Sequence, residues 1–342
     1  MSSSTNPRNI LLKKIYAPFT HLERDSPEYN KLAKSGKVWE DYHYPGDSER
    51  NGYASLNQRH ASILDNIDSY KSDIKLRTSD ISRSLIAKYA HQSVAIEDNK
   101  LHLGNSIRIN DYLASTFFKE VDLASVSASK LSQSALPEVH SILPEADVSQ
   151  ATELRNHIVA SHWVTETALK NVGTAGLDEN EVQALSALII KETSSEKIYA
   201  NSWGGRVVPG DFRRAPITVR SNPLRVFPYP DEVPALMKRF FQWRDKAHRI
   251  KDLHPIVIAC QATAYFLHIH PFPDGNGRVA RLIMQDFLIR QGYFPVVFLG
   301  TERSDYLRMI KDAQDGNPEE FVAKVVCTQL EEMVTFGREF PG

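Results

Sequence analysis

The residues of this sequence with the clearest chemical potential lie together, in the run His270-Pro-Phe-Pro-Asp-Gly-Asn-Gly-Arg-Val-Ala-Arg281. The imidazole of His270 could take a proton near neutral pH, and the carboxylate of Asp274 suits Mg²⁺ that is held jointly with phosphates. Two guanidinium groups, three residues apart, could bind phosphate oxygens through paired hydrogen bonds. Each of these residue types is common alone in turns, but their coincidence in one short run indicates a phosphate-handling site.

Two predicted helices flank this run and would position it. Upstream, residues 253–269 are largely apolar, with Pro255 at a plausible first helical position. Downstream, apolar residues recur at helical spacing from Val279 to Phe287, and Gly292 follows as a stop signal. The turn between the helices would present backbone N–H groups at the positive N-terminal end of the second helix, which is a ready anion site.

The residues of the turn have complementary tasks at such a site. Gly275 and Gly277 lack Cβ, so the backbone can turn tightly and approach a ligand closely. Asn276 can donate through its side-chain amide, and the loop N–H groups can form a nest for phosphate oxygens. Arg278 and Arg281 share one helix face near the helix start, so both guanidinium groups would lean back toward the loop.

At every fixed position the run resembles the signature of the Fic family, His-x-Phe-x-Asp/Glu-Gly-Asn-Gly-Arg-x-x-Arg. Fic enzymes typically transfer AMP from ATP to a hydroxyl side chain of a target protein and release pyrophosphate. The resemblance implies that His270 is the base and that Asp274 holds Mg²⁺. It also implies AMP transfer rather than phosphorylation, because a kinase-like branch carries Lys in place of Gly277. It implies that the remaining motif residues bind the phosphates of ATP. The loop residues Gly275, Asn276 and Gly277 would surround the phosphates, Arg278 would bind the outer phosphates, and Arg281 would complete the γ-phosphate site.

Two further segments resemble parts of the same family. Pro209-Gly-Asp-Phe-Arg213 is similar to the Pro-Gly-x-x-Arg segment that precedes the flap, a β-hairpin that positions the target. The flap would span residues 214–228, with the strand-favouring residues Ile217, Thr218 and Val219. Nearer the C-terminus, the resemblance places Tyr306 and Gln314 in the nucleoside pocket, where animal relatives carry Asn in place of Gln314.

A regulatory segment is also similar to one in the family. Many Fic proteins carry an inhibitory helix with the pattern Ser/Thr-x-x-x-Glu-Gly/Asn, whose glutamate pairs with the second arginine of the motif and blocks productive ATP binding. Ser93 and Glu97 match this pattern, in a predicted helix near residues 81–98. The resemblance therefore implies that Glu97 pairs with Arg281 and inhibits the enzyme. In the subclass with this helix in the same chain, which includes the endoplasmic-reticulum AMP transferase of animals, the glutamate can also assist the removal of AMP from the target.

The inhibitory pattern is broken at one position. Asp98 stands where the family carries Gly or Asn. Asn99 is the next residue suited to a helix end, so we expect the helix to stop slightly later.

Composition argues against several classes of protein. The 342 residues include 41 basic and 42 acidic side chains, a net charge of −1, and no long basic run, so neither nucleic-acid nor membrane binding is indicated. No apolar stretch is long enough to span a bilayer, unlike the anchor of the animal relative. The N-terminus lacks an apolar secretory core, so we expect a cytoplasmic location and leave a nuclear or mitochondrial one open. Cys260 and Cys327 lie in apolar helical patterns and are expected to be buried free thiols.

Periodicity along the chain predicts a mainly α fold, and the resemblance adds a Fic-type helical domain with a small β-hairpin flap over the active site. We expect an irregular N-terminal arm over residues 1–55 and a helical region over residues 56–150. The second region would end in a Ser-rich surface excursion over residues 121–150. The Fic catalytic core would occupy residues 151–342, and no tetratricopeptide pattern precedes it.

The leading hypothesis is a Mg²⁺–ATP-dependent protein adenylyltransferase that is autoinhibited by Glu97 and also removes AMP from its target. Two alternatives stay open. One is a Fic-type transferase of another nucleotide or group, and the other is a catalytically silent nucleotide-sensing module. The partner would be a target protein, for which the animal relative suggests a heat-shock chaperone of the BiP type, and a homodimer is also open.

Overall fold

The chain is built almost wholly from α-helices in a computed structural model that describes residues 6–74, 78–200, 207–219 and 222–339. The prediction of a mainly α fold is therefore confirmed. Within these residues no β-strand forms, and one isolated antiparallel bridge joins Val219 to Asn222. None of the described helices is long and apolar enough to cross a membrane.

The N-terminal arm is more regular than the sequence suggested. Asn6 and Ser26 each cap a short helix with a side-chain oxygen, and a proline follows each of them at the first helical position. Trp39 is buried in the core, so the arm is packed onto the rest of the fold. The prediction of an irregular arm over residues 1–55 was wrong, since it contains α1 (Pro7–Ile15), α2 (Pro27–Ala33) and α3 (Lys37–Tyr42).

The second region is helical, as predicted, but its last part is not a surface excursion. Leu131, Val139 and Leu143 are buried in the core, and Nη1 of Arg155 donates to the carbonyl of Pro137 at 3.1 Å. Apolar side chains among the serines thus hold residues 121–150 onto the fold. The helices are α4 (Tyr53–Arg59), α5 (Ala61–Asp73), α6 (Thr78–Ile96), α7 (Leu103–Ser115), α8 (Phe117–Glu120) and α9 (Ala128–Gln133).

The third region supplies the centre of the fold. One continuous apolar core extends from Ile15 to Met333, so the three predicted regions pack together. Cys260 is buried, but Cys327 is exposed, and the expectation of two buried thiols was wrong for Cys327. The helices are α10 (Val148–Lys170), α11 (Glu179–Ile190), α12 (Glu196–Ala200), α13 (Val233–Ile250), α14 (Pro255–Ile269), α15 (Asn276–Arg290), α16 (Arg303–Gln314) and α17 (Glu319–Glu339).

The helix pair α14–α15 forms as the sequence predicted, for local reasons. The His254 side chain accepts a hydrogen bond from the N–H of Ile256, and Pro255 occupies the first turn of α14. Gly292, with φ of 79°, follows the end of α15. Helix α6 packs against α10 and α15, and this contact brings the predicted inhibitory segment to the start of α15.

Candidate active site

His270 ends α14 and is held there through its backbone. It adopts the left-handed conformation, with φ of 53°, and its N–H still donates to the carbonyl of Phe266. Its own carbonyl accepts from Nε of Arg213 at 2.8 Å, and its ring lies 4.5 Å from the ring of Phe227. Burial, together with the charge of Arg213, lowers the pKa of His270 to about 3. The imidazole is therefore neutral at physiological pH, with a lone pair on one of its two ring nitrogens.

The side chain of Asn276 closes the turn between the two helices. Its Oδ1 accepts from the N–H of Phe272 at 2.9 Å, and its Nδ2 donates to the carbonyl of Phe272 at 2.8 Å. One of the two N–H donors of this amide is thus engaged within the loop, and the side chain is buried. Asn276 thereby shapes the loop. Gly275 begins α15 with φ of 79°, and a Cβ there would collide with Ile189.

Asp274 lies at the partly exposed surface of this turn. Its Oδ1 accepts from the N–H of Gly275 at 2.7 Å. Among the described residues there is no group of three or more His, Cys, Asp or Glu side chains that could hold a metal by itself. A lone carboxylate at an anion site fits Mg²⁺, which is usually bound by one or two carboxylates together with substrate phosphates.

Arg281 is the most heavily bound side chain of the run. Its Nε donates to Oγ of Ser93 at 2.7 Å, and its Nη2 donates to the carbonyl of Ser93 at 2.7 Å and to Oε1 of Glu97 at 2.8 Å. The pairing of Glu97 with Arg281 that the resemblance implied is present. Its Nη1 is buried and has no well-aligned hydrogen-bond partner in the part of the chain that the structure describes, although the Tyr306 hydroxyl interacts with this guanidinium.

The carboxylate of Glu97 lies over Gly277. A Cβ built on Gly277 would collide with Oε1 of Glu97 and would lie 3.2 Å from Nη1 of Arg281. Gly277 is in the first turn of α15, where unpaired N–H groups carry positive partial charge. An anionic group of the protein thus occupies the position where the sequence predicted that a ligand's phosphate would bind.

The segment that carries Glu97 ends its helix differently from the prediction. Asp98 adopts the left-handed conformation, with φ of 77°, and Asn99 donates its N–H to the carbonyl of Val94 while Asp98 donates to that of Ala95. This is a Schellman motif, in which Asp98 takes the place usual for glycine. The helix therefore ends at Ile96, and the expectation that Asn99 would end it was wrong.

Arg278 is already paired with a carboxylate on α10. Its Nη1 lies 2.7 Å from Oε1 of Glu153 and 3.3 Å from the carbonyl of Ile189. Glu153 also accepts from Nδ2 of Asn99 at 2.8 Å, and the same nitrogen donates to the carbonyl of Gln150. Both arginines of the run are thus connected to the Glu97 segment, one directly and one through Glu153.

The predicted flap is only partly a hairpin. Thr218 is exposed, whereas Ile217 and Val219 are partly buried, and the bridge from Val219 to Asn222 is its only described pairing. Positions 220 and 221 lie outside the described residues. The buried guanidinium of Arg213 holds the two ends of the flap together, because it donates to the carbonyls of Ala215 and Pro228 as well as to that of His270.

The two residues assigned to a nucleoside pocket differ in their surroundings. Tyr306 is 2% exposed, and its ring lies 5.4 Å from Cζ of Arg281. It packs beside that guanidinium and is almost completely enclosed by the protein. Gln314 lines a cavity of about 380 Å³ between the arm, the flap and α16, whose other walls include Trp39, His43, Leu224, Arg225 and His268.

Sequence reasoning missed three contributors to this site. Arg213 was predicted only as the last residue of the segment that precedes the flap. Neither Glu153 nor the hydrogen bond from Asn99 to Glu153 was predicted. Their partners lie far away in the chain, so no local spacing could have revealed them.

Comparison with known proteins agrees with the motif and the fold. Residues 176–288 match the Fic/DOC family. A protein adenylyltransferase Fic from Drosophila erecta is 40% identical over 121 residues, which are 35% of this chain and 24% of the relative. The corresponding protein from Drosophila melanogaster is 39% identical over the same length. The chain thus spans about a quarter of the length of the curated relatives that it matches.

Two solved structures are similar in fold. Fic-1 (residues 134–508) from C. elegans superposes with a TM-score of 0.60 at 16% identity, over 97% of this chain and 92% of that one. A Fic domain-containing signaling protein from Bacteroides thetaiotaomicron superposes with a TM-score of 0.59 at 19% identity, over 80% and 96%. At these identities the likeness concerns the fold alone.

Proposed function

We propose that this chain is a Mg²⁺–ATP-dependent protein adenylyltransferase, because residues 176–288 match the Fic/DOC family. The hydroxyl oxygen of a target side chain attacks the α-phosphorus of ATP, the bond to the β-phosphate breaks, and pyrophosphate leaves. The observation that carries the proposal is an anion position at Gly277 and Arg281, filled here by Glu97, at the end of the turn that begins with His270.

His270 takes the proton of the target hydroxyl in this proposal. Arg213 binds the backbone carbonyl of His270, and the imidazole packs against the ring of Phe227, so the backbone that carries the base is held in place. Mg²⁺ bound by Asp274 would neutralise part of the phosphate charge. The N–H group of Gly277 binds phosphate oxygens, and that of Gly275 does so once it leaves Oδ1 of Asp274, while Asn276 keeps the loop in shape.

Arg281 and Arg278 bind the outer phosphates once their carboxylate partners are displaced. Arg281 would meet the γ-phosphate and Arg278 the adjacent oxygens, each by charge-assisted hydrogen bonds. Glu97 inhibits this step because it uses the guanidinium of Arg281 and adds negative charge where phosphates must bind. ATP must therefore compete with a group of the protein itself, and Ser93 keeps Arg281 in place during the exchange.

We also propose that the same site removes AMP from modified targets when Glu97 is in place. A carboxylate beside the phosphate position could orient a water molecule for attack on the phosphorus. The water oxygen would bond to the α-phosphorus as the bond from that phosphorus to the target oxygen breaks. The proton that the water loses would pass by way of the His270 imidazole to the target oxygen, which leaves as a hydroxyl group. Loss of AMP release in Glu97→Gly is expected with a pre-modified target, and unchanged release would refute this second activity.

The partner in this proposal is a target protein whose modified hydroxyl the flap positions. The resemblance suggests a heat-shock chaperone of the BiP type as the target, and we place the reaction in the cytoplasm. A homodimer of this chain is a further candidate assembly. The cavity beside Gln314 is the candidate nucleoside pocket, with an amide for the base edge.

The test compares wild type, His270→Ala and Glu97→Gly after incubation with Mg²⁺ and each nucleoside triphosphate. Intact mass spectrometry should find AMP attached in Glu97→Gly, and His270→Ala in that background should lower transfer at least about 100-fold while ATP still binds. Replacement of the exposed His21 by Ala is the matched control. Attachment of a different nucleotide would support the alternative transferase, and no attachment in any variant would support a nucleotide-sensing module.

A further inference from the structure

The flap lacks the regular ladder of hydrogen bonds that normally holds a hairpin together. Between its two limbs, residues 214–219 and 222–228, the described backbone contacts are confined to the bridge at Val219 and Asn222. A loop with so few internal bonds does not keep one conformation by itself. Its shape must therefore depend on side chains that reach it from outside.

Arg8, on the first turn of α1, makes such contacts with both limbs. Its Nη2 donates to the carbonyl of Ile217 at 3.1 Å, and its Nε donates to the carbonyl of Arg225 at 3.3 Å. One guanidinium thus bridges two strand-like limbs, as a pair of ladder bonds would. The start of α1 is itself fixed, because Oδ1 of Asn6 accepts from the N–H of Arg8 and Pro7 occupies the first turn.

The far end of α1 is anchored beside the exit of the flap. The ring of Tyr16 stacks on that of Tyr229, with centroids 3.6 Å apart and planes 4° apart. The hydroxyl of Tyr16 donates to Oε2 of Glu232 at 2.6 Å and accepts from the N–H of Tyr229 at 2.7 Å. Helix α1 is therefore attached at both ends, and Arg8 is a fixed donor rather than a mobile surface arginine.

We propose that Arg8 is a positioning residue for the protein target, because it sets the distance between the limbs of the flap and so the edge on which the target lies. This inference rests on the proposed function, in which the flap holds the target beside His270. Arg8 would act more on target binding than on ATP. Its side-chain hydrogen bonds within the described residues go to the flap, although the Arg225 whose carbonyl it binds also lines the cavity beside Gln314. The N-terminal arm thereby becomes part of the apparatus that selects the target.

Limited trypsin digestion of the full chain tests the structural part. The side chain of Arg225 is 11% exposed, so cleavage after it requires the flap to open. In Arg8→Ala we expect cleavage there to accelerate by roughly tenfold, and in Arg8→Lys by less, because Lys can bridge only one limb at a time. Lys14→Ala, on the exposed face of the same helix, also removes one trypsin site and should leave the rate unchanged.

Steady-state kinetics test the functional part. The enzyme is Glu97→Gly with or without Arg8→Ala, and the probe substrate is a His270→Ala copy of the chain at varied concentration. We expect the KM for this protein substrate to rise by roughly tenfold and the KM for ATP to change far less. Equal cleavage rates after Arg225 in wild type and Arg8→Ala would overturn the inference, and so would faster cleavage without a change in the protein KM. If no variant transfers AMP, the proposed function fails while the digestion still decides the role of Arg8.

Discussion

Replacing Glu97 by Gln should tighten ATP binding, because it removes the charge that competes with phosphate and keeps the side chain's shape. Oε1 of Glu97 lies 2.8 Å from Nη2 of Arg281, whose side chain is 2% exposed, whereas that of Glu97 is 31% exposed. A hydrogen bond to a charged group contributes about 1.5–3 kcal/mol, and the partial exposure of Glu97 favours the lower part of this range. Since about 1.4 kcal/mol corresponds to a tenfold change, the dissociation constant of ATP should fall between about tenfold and about 100-fold.

The geometry also predicts that the site survives this change. Nε and Nη2 of Arg281 keep their bonds to Ser93, so the guanidinium remains oriented toward the start of α15. Calorimetric titration of ATP with Mg²⁺ measures affinity, and labelled ATP measures transfer in the same samples. Both quantities should increase in Glu97→Gln and increase further in Glu97→Gly, which also empties the position over Gly277.

The matched control is Glu166, a carboxylate on α10 that pairs with helix α6, the helix that Glu97 follows. Glu166 pairs with Arg83 of α6 at 2.6 Å, so Glu166→Gln loosens α6 without touching the anion position. We expect it to leave ATP affinity unchanged. If Glu97→Gln and Glu97→Gly bound ATP no more tightly than wild type, the competition between carboxylate and phosphate would be refuted. If Glu166→Gln had the same effect as Glu97→Gln, general loosening of α6 would be the cause.

Two other carboxylates give separate predictions. Glu153→Gln should release Arg278 and tighten ATP binding by about tenfold. Asn99 links the Glu97 segment to Glu153, so calorimetry of the double variant with Glu97→Gln should show a coupling energy above about 0.5 kcal/mol. Additive effects of the two substitutions would contradict the link. Burial raises the pKa of Glu232 to about 7, so the folded protein keeps a proton that the unfolded chain releases above its ordinary pKa. The free energy of unfolding should thus fall as pH rises through this window, by up to about 3 kcal/mol. Urea unfolding should show that Glu232→Gln becomes more stable relative to wild type over the same pH range. Parallel curves of unfolding free energy against pH for the two proteins would contradict this.

The sequence was sufficient for the features that local signals determine. Proline, glycine and apolar spacing predicted the helix–turn–helix around His270, and these signals act within a few residues of the structure they specify. The arm was misjudged although it carries similar signals at Asn6-Pro7 and Ser26-Pro27, because its short helices have little apolar periodicity. Asp98 was misjudged because Gly and Asn are the usual residues at the left-handed position that ends a helix, and Asp is a less common one.

The contacts that could not be predicted join residues far apart in the chain. Glu153 is separated from Arg278 by several helices, and only the packing of α10 on α15 brings them together. The engagement of Asn276 by Phe272 and the burial of Tyr306 under Arg281 likewise depend on side-chain directions in the folded state. Residue types predicted the kind of chemistry, whereas the present partner of each group follows from tertiary packing.

Arg278 and Arg281 each have a counter-ion from the protein, and this makes nucleotide binding an ion exchange within the fold. Two carboxylates leave their guanidinium groups as the polyphosphate arrives, so the number of paired charges changes little. The free energy gained from each new ion pair is offset by the loss of an existing one. This exchange limits the affinity of the wild-type chain for any polyanion. By the same reasoning, a chain that lacks Glu97 keeps a buried cation without its counter-ion, and its stability should depend on added pyrophosphate or ATP far more than that of wild type.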